Sequence, residues 1–164
     1  MRKAFKRLIP VLVAGIISAC AGGAAPRDDL TSPNRADITD IRGPEWQLVE
    51  FKTASEHVLF DRNKLESEGF GDIFTLRFNS GELEGKAAPN RYAGPYQLGD
   101  GQALTIGNVA GGSQGVFEPV KIKEIEYFGY LGKVRRWAFN QGRLELYSAD
   151  AGGGEAVLTY AAGN

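Results

Sequence analysis

Beyond residue 42, apolar positions recur mostly every second residue, the spacing that puts alternate side chains of a strand on one face. Trp46–Phe51 reads as a first strand with apolar residues on both faces. Ile73–Phe78 is cleaner, with Phe74, Leu76 and Phe78 in phase, and Asn79-Ser80-Gly81 then marks a hairpin connection. Glu82–Gly85 returns with Leu83 inward. Arg91–Leu98 follows with Tyr92, Tyr96 and Leu98 in phase. Pro95 has no amide hydrogen, which predicts a bulge or a sheet edge there. Gly99-Asp100-Gly101 turns the chain into Ala103–Ile106. Arg135–Phe139, Arg143–Tyr147 and Ala156–Tyr160 close the pattern, separated by Asn140-Gln141-Gly142 and Gly152–Gly154. Residues 52–71 read as irregular around a short apolar group, Val58–Phe60, with a turn at Asp61–Asn63. Gly111–Gly115 reads as a flexible loop.

One stretch changes period. Val120, Ile122, Ile125, Phe128, Leu131 and Val134 recur mainly every third residue, opposite Lys121, Lys123, Glu124, Glu126 and Lys133. With Pro119 suited to a first turn and Gly132 to an end, this predicts one amphipathic helix over about 119–131. An extended alternative for Ile125–Phe128 stays open. About seven strands joined by short turns and one helix define an α+β, mostly β, class. The expected architecture is a curved antiparallel β-meander, partly closed and barrel-like, with the helix packed over one opening.

The first 42 residues lack this pattern. Arg2, Lys3, Lys6 and Arg7 precede an apolar run, Leu8–Ile17, too short for a comfortable membrane span, and Ser18-Ala19-Cys20 follow. Ile17-Ser18-Ala19-Cys20 resembles the lipobox of bacterial lipoproteins, with Ile17 where leucine is usual. That resemblance implies cleavage of residues 1–19, lipidation of Cys20 and, because Ala21 is not aspartate, attachment to the outer membrane with the domain facing the periplasm. Residues 20–42 then form the lipid anchor and a polar tether, 22 residues of it beyond Cys20, with few apolar anchors to offset the entropy of ordering; extended, it spans at most about 70 Å. Residues 43–164 are the folded domain.

Cleavage leaves 15 basic against 20 acidic residues, a net charge of −5 with His57 neutral. An acidic surface argues against nucleic acid and against loose binding to anionic lipid, so no nucleic-acid partner is expected. Cys20 is the only cysteine, so no disulfide is available and burial must hold the domain.

The domain resembles the META domain family, the module of the bacterial heat-inducible lipoprotein HslJ. The matching residues are Trp46-Gln47-Leu48, Phe74–Phe78 with Gly81 and Gly85, Asn90-Arg91-Tyr92-Ala93-Gly94-Pro95-Tyr96, Leu104-Thr105-Ile106 and Gly142–Leu146. The likeness covers about residues 43–160. Many members carry a cysteine before that asparagine and a second in the loop after the next strand; here stand Pro89 and a cysteine-free stretch around Val109-Ala110. The resemblance implies a role in heat response, antibiotic tolerance or envelope integrity, without catalytic activity.

Asn90 suits a turn, Gly94 a strained or closely packed backbone, and Tyr92 and Tyr96 can bury rings while their hydroxyls reach water. Arg135-Arg136-Trp137 is the compact basic and aromatic cluster, with Arg91-Tyr92 a possible neighbour in the fold. Together these form a structural motif or a binding surface for a peptide, protein or glycan partner in the envelope. His57 has no histidine or cysteine companion, so neither a metal site nor a histidine triad is expected. Glu82 and Glu84 could imitate the carboxylate pair of a hydrolase, but a solvated strand face explains them better, and Glu124 and Glu126 read as a wet helix face. No cofactor is expected; the glycine-rich stretches lack phosphate-loop spacing.

Overall fold

The computed structural model describes Thr39, residues 41–112, Gly115 and residues 122–163. The export segment, Cys20, the tether as far as Ile38 and the expected helix start at Pro119–Lys121 lie outside the described residues. The strands are β1 (Trp46–Lys52), β2 (His57–Leu59), β3 (Thr75–Phe78), β4 (Glu82–Lys86), β5 (Arg91–Leu98), β6 (Leu104–Ile106), β7 (Ala110–Gly111), β8 (Val134–Asn140), β9 (Arg143–Ala149) and β10 (Glu155–Ala162). The helices are α1 (Arg62–Ser67) and α2 (Glu124–Leu131).

These strands form one antiparallel sheet in the order β6-β5-β4-β3-β1-β10-β9-β8, with β2 beside β1 and β7 beside β5. The last strand comes round to the first. The Trp137 amide donates to the Gln102 carbonyl at 2.9 Å, and Ala103 bridges to Arg136. The meander therefore nearly closes into a barrel, which removes most of the edge an open sheet would expose.

Alternation explains which side chains fill it. Leu76, Phe78, Leu83, Tyr92, Tyr96, Leu144, Leu146, Leu158 and Tyr160 are all buried. In β1 a bulge between Leu48 and Glu50 shifts the phase, so that Trp46 and Leu48 face inward and Phe51 follows them in place of Glu50. The apolar residues on both formal faces of Trp46–Phe51 thus belong to one interior. The β8–β9 turn has φ of 51° at Gln141 and 76° at Gly142, the pair of left-handed residues that matches the twist of a tight hairpin.

Several expectations are corrected. The stretch 52–71 holds β2 and α1 and is not irregular. Asp61 does not make a turn but caps α1, accepting from the Lys64 amide at 3.0 Å. Pro95 lies neither at an edge nor at a bulge. It faces Glu82 of β4 in unbroken register, and its carbonyl accepts from the Gly107 amide at 2.8 Å. On that outer side the neighbour of β5 changes from β7 to β6, so no ladder bond is needed from residue 95. Phase places Leu98 inward, yet it is 38% exposed at the strand end. The strand expected from Ile73 starts at Thr75, because Phe74 turns through the left-handed region with φ of 49°.

Among the described residues α2 starts at Glu124, which closes the extended alternative for Ile125–Phe128. Its buried residues are Tyr127 and Leu131, with Phe128 packed against them, while Ile125 is 75% exposed. Of the expected apolar row, Ile122 and Leu131 are buried and Phe128 packs on the core, but Ile125 departs: helical spacing turns it away once Tyr127 takes the core. At the start of the domain, Ile41 is fully buried and its carbonyl accepts from Trp46 Nε1 at 2.8 Å. The packed body thus includes Ile41 and Arg42, which the sequence reading assigned to the tether.

Candidate functional site

The Asn90 motif is built where β5 begins beneath α2. Asn90 is buried, its amide donates to Glu124 Oε1 at 3.1 Å, and its Nδ2 donates to Glu124 Oε2 at 2.8 Å. Its carbonyl accepts from the Ala87 amide, closing the turn between β4 and β5. One carboxylate at the first turn of α2 thereby clips the helix to the strand. Glu124 is not a wet helix face. Its charge is satisfied by two donors and lies where the helix dipole favours an anion.

Two residues on, Tyr92 points into the barrel. Its hydroxyl donates to the Thr75 carbonyl at 2.7 Å and meets the Tyr127 hydroxyl at 3.0 Å, which meets the Tyr160 hydroxyl at 3.1 Å. Three phenols from β5, α2 and β10 thus form one buried chain, with Phe74 and Phe128 edge-on to it. Burial raises all three pKa values. Tyr127 is pushed up to about 12, and Tyr92 and Tyr160 go well above the ordinary 10.0. Tyr96 is also inward, donating to the Asn79 carbonyl at 2.6 Å and accepting from Arg42 Nε at 3.1 Å. The expectation that Tyr92 and Tyr96 send their hydroxyls to water is overturned: both satisfy them inside the protein. A side chain at Gly94 would come within 3.0 Å of the Asn108 carbonyl, so this glycine serves close packing of the 107–109 segment, with no left-handed strain.

The basic cluster divides. Trp137 is buried, and its Nε1 has no partner among the described residues. Arg136 lies outside, its guanidinium 3.2 Å from the centre of the Tyr147 ring and 3.2 Å from Glu155. Arg135 donates to its own neighbour's carbonyl, that of Val134. A register shift between Val134 and Arg136 turns both arginines outward. Arg91 is not their neighbour. Arg136 bridges to Ala103, at the Leu98 end of β5, whereas Arg91 is at the other end, about 23 Å along the strand.

Arg91 instead borders an open cleft of about 410 Å³ on the outer sheet face, together with Glu45, Arg77 and Glu84. Its small residues, Ala93, Ala110, Gly111 and Gly112, leave the space. Sequence reasoning missed Glu45 and Arg77; the register of three strands, invisible in the linear chain, brings them there. It also missed Arg62. From α1, Arg62 donates to the carbonyls of Gly71 (2.7 Å), Ile73 (3.0 Å) and Leu48 (3.4 Å), stapling loop to sheet. Desolvation lowers its pKa against the opposing fields of Glu45 and Asp72.

His57 stands in β2 and pairs with Glu50 at 2.8 Å, while Glu82 and Glu84 are exposed on β4. Among the described residues no three His, Cys, Asp or Glu side chains group to hold a metal ion, and no helix is long and apolar enough to cross a membrane.

A nearly closed antiparallel meander with one helix packed by a buried tyrosine chain defines a small β-barrel-like domain. The family model described as META domain matches residues 39–162, and the chain belongs to that family. The fold is similar to that of an NMR structure of a protein from Burkholderia xenovorans, with a TM-score of 0.57 and 22% identity, covering 85% of this chain and 97% of the other. A duf4847 family protein from Bacteroides vulgatus gives a TM-score of 0.48 at 14% identity, over 74% of this chain and 93% of that one. A search of curated proteins finds no match.

Proposed function

We propose that this chain is an HslJ-like envelope lipoprotein: a META domain held on the outer membrane through lipidated Cys20, facing the periplasm and contributing to envelope integrity or stress tolerance without catalysis. The observation that carries this reading is the order of the chain, in which Ile17-Ser18-Ala19-Cys20 ends a basic and apolar leader and a META domain begins at residue 39. Several acyl chains at Cys20 hold a protein that one chain would release, since each buried methylene contributes about 0.8 kcal/mol. The described part supports a scaffold role. Its interior is filled by large side chains, and its phenols are satisfied by one another.

Fractionation of the native host tests the anchor. Wild-type protein is expected in the outer-membrane fraction, with mass spectrometry showing an acylated amino-terminal Cys20. Cys20→Ser is expected to leave the membrane fraction. An unprocessed leader in the wild type, or a Cys20→Ser form that remains with the membrane, overturns the proposal.

A further inference from the structure

We infer that the outer face of β3, β4 and β5 is a binding site for a zwitterionic ligand, a short peptide with free ammonium and carboxylate ends. The sheet lays the necessary groups in one row. Trp46 faces Leu76 and Gln47 faces Thr75, so the same register sets Glu45 beside Arg77. Arg77 faces Glu84, Glu84 faces Ala93, and Ala93 faces Ala110. Arg91 stands two residues from Ala93 on the same face. Charged groups border the cleft on one side, and methyl-sized residues hollow it on the other.

Opposite charges facing each other across strands ordinarily pair. Here they do not. Among the described residues none of Glu45, Arg77, Glu84 and Arg91 makes a side-chain hydrogen bond or ion pair. The capacity elsewhere on the molecule is used: Lys86, one row away, pairs with Asp72, and Arg136 pairs with Glu155. Two guanidiniums, each with five donors, and the Glu84 carboxylate therefore face the cleft with their hydrogen-bonding capacity unspent, while Glu45 also lends its field to Arg62.

The mixture of signs selects the ligand. A simple anion meets Glu45 and Glu84, and a simple cation meets Arg77 and Arg91. A neutral sugar lacks an aromatic platform, because the tyrosine at this cleft, Tyr92, is turned inward with its hydroxyl engaged. A molecule with both charges satisfies both sets. Glu84 and Arg91 are one strand and two residues apart, about 8 Å, and Glu45 lies two strands from Glu84, about 10 Å. An extended peptide of two or three residues, at about 3.4 Å per residue, covers the Arg91–Glu84 part of this row. Its carboxylate engages the Arg91 fork and its ammonium lies beside Glu84, with Arg77 and Glu45 continuing the row beyond it.

Triglycine titrated into the full-length lipidated protein in detergent micelles, followed by calorimetry, tests the site. Saturable binding in the millimolar range is expected, weakening as salt is raised. Triglycine blocked as the acetyl amide is expected not to bind. Arg91→Gln and Glu84→Gln are each expected to weaken binding about tenfold or more, with Lys64→Gln as an unaffected control and near-ultraviolet dichroism of Trp46 and Trp137 reporting the intact fold. Cys20→Ser is expected to bind as wild type does, which separates this site from the anchor. Absence of saturable binding, equal binding of the blocked peptide, or undiminished binding by both charge variants overturns the inference.

Discussion

Tyr127 holds the centre of a three-phenol chain, and its two neighbours differ in what they lose without it. Tyr92 keeps the Thr75 carbonyl, whereas the Tyr160 hydroxyl has Tyr127 as its described partner. Tyr127→Phe therefore leaves a buried hydroxyl unsatisfied on β10, and a loss of about 1–3 kcal/mol is expected in denaturant unfolding. The same chain sets an alkaline limit. A phenol whose pKa is raised by folding contributes stability that is whole below the unfolded value of 10.0 and is lost as pH rises through the folded one, about 12 for Tyr127. Unfolding midpoints followed from neutral pH upward are expected to stay level with respect to these groups until about pH 10 and then fall. Tyr127→Phe should fall less steeply. The tyrosines and their phase are plain in the sequence. Their mutual contact is not, since Tyr92, Tyr127 and Tyr160 come from three separate elements, and a hydroxyl aimed at water looks the same in a linear pattern as one aimed at another phenol.

At the scale of elements, α2 depends on a contact that no helix pattern contains. At its first turn the Lys123 amide donates to Glu126 at 3.1 Å, and Glu124 takes two donors from Asn90 at the start of β5. Asn90→Ala removes one donor and exposes the carboxylate to partial desolvation. A loss of about 1.5–3 kcal/mol is expected, measured by chemical denaturation, and hydrogen exchange should quicken first in α2. Glu124→Ala should produce a similar loss, and the double variant less than the sum, the signature of a shared contact. The helix itself was legible as a change of period, but among the described residues it starts only at Glu124, with Ile122 and Lys123 ahead of it non-helical, and its inner face was not legible. Tyr127 takes the core because Tyr92, Tyr160 and Phe74 wait there, and this leaves Ile125 outside. The short α1 escaped the pattern because six residues offer one buried apolar side chain, Leu65, and no period to read. Its cap, Asp61, was the available signal.

At the scale of the molecule, closure decides what Trp137 does. The β8 backbone meets the β6 edge at this residue, and its ring enters the interior with Nε1 unpartnered. Trp137→Ala is expected to cost about 3–5 kcal/mol in thermal or chemical unfolding. Trp137→Phe, which removes the unpartnered N–H while keeping most of the ring, is expected to cost much less, below about 1.5 kcal/mol. Equal losses in the two variants would show that the indole N–H contributes more than its surroundings indicate.

By itself the sequence determined the class, the main hairpins and most inward strand positions, because a two-residue alternation leaves a regular strand one way to bury its apolar side chains; the bulged β1 and the Leu98 end of β5 escaped that rule. It also carried the leader pattern that points to Cys20. Only the tertiary structure decided the strand order, the closure of β8 onto β6, the separation of Arg91 from Arg136 and the gathering of Glu45, Arg77, Glu84 and Arg91 on one face. These depend on register between strands far apart in the chain, and a pattern local to each strand contains no term for which neighbour it meets.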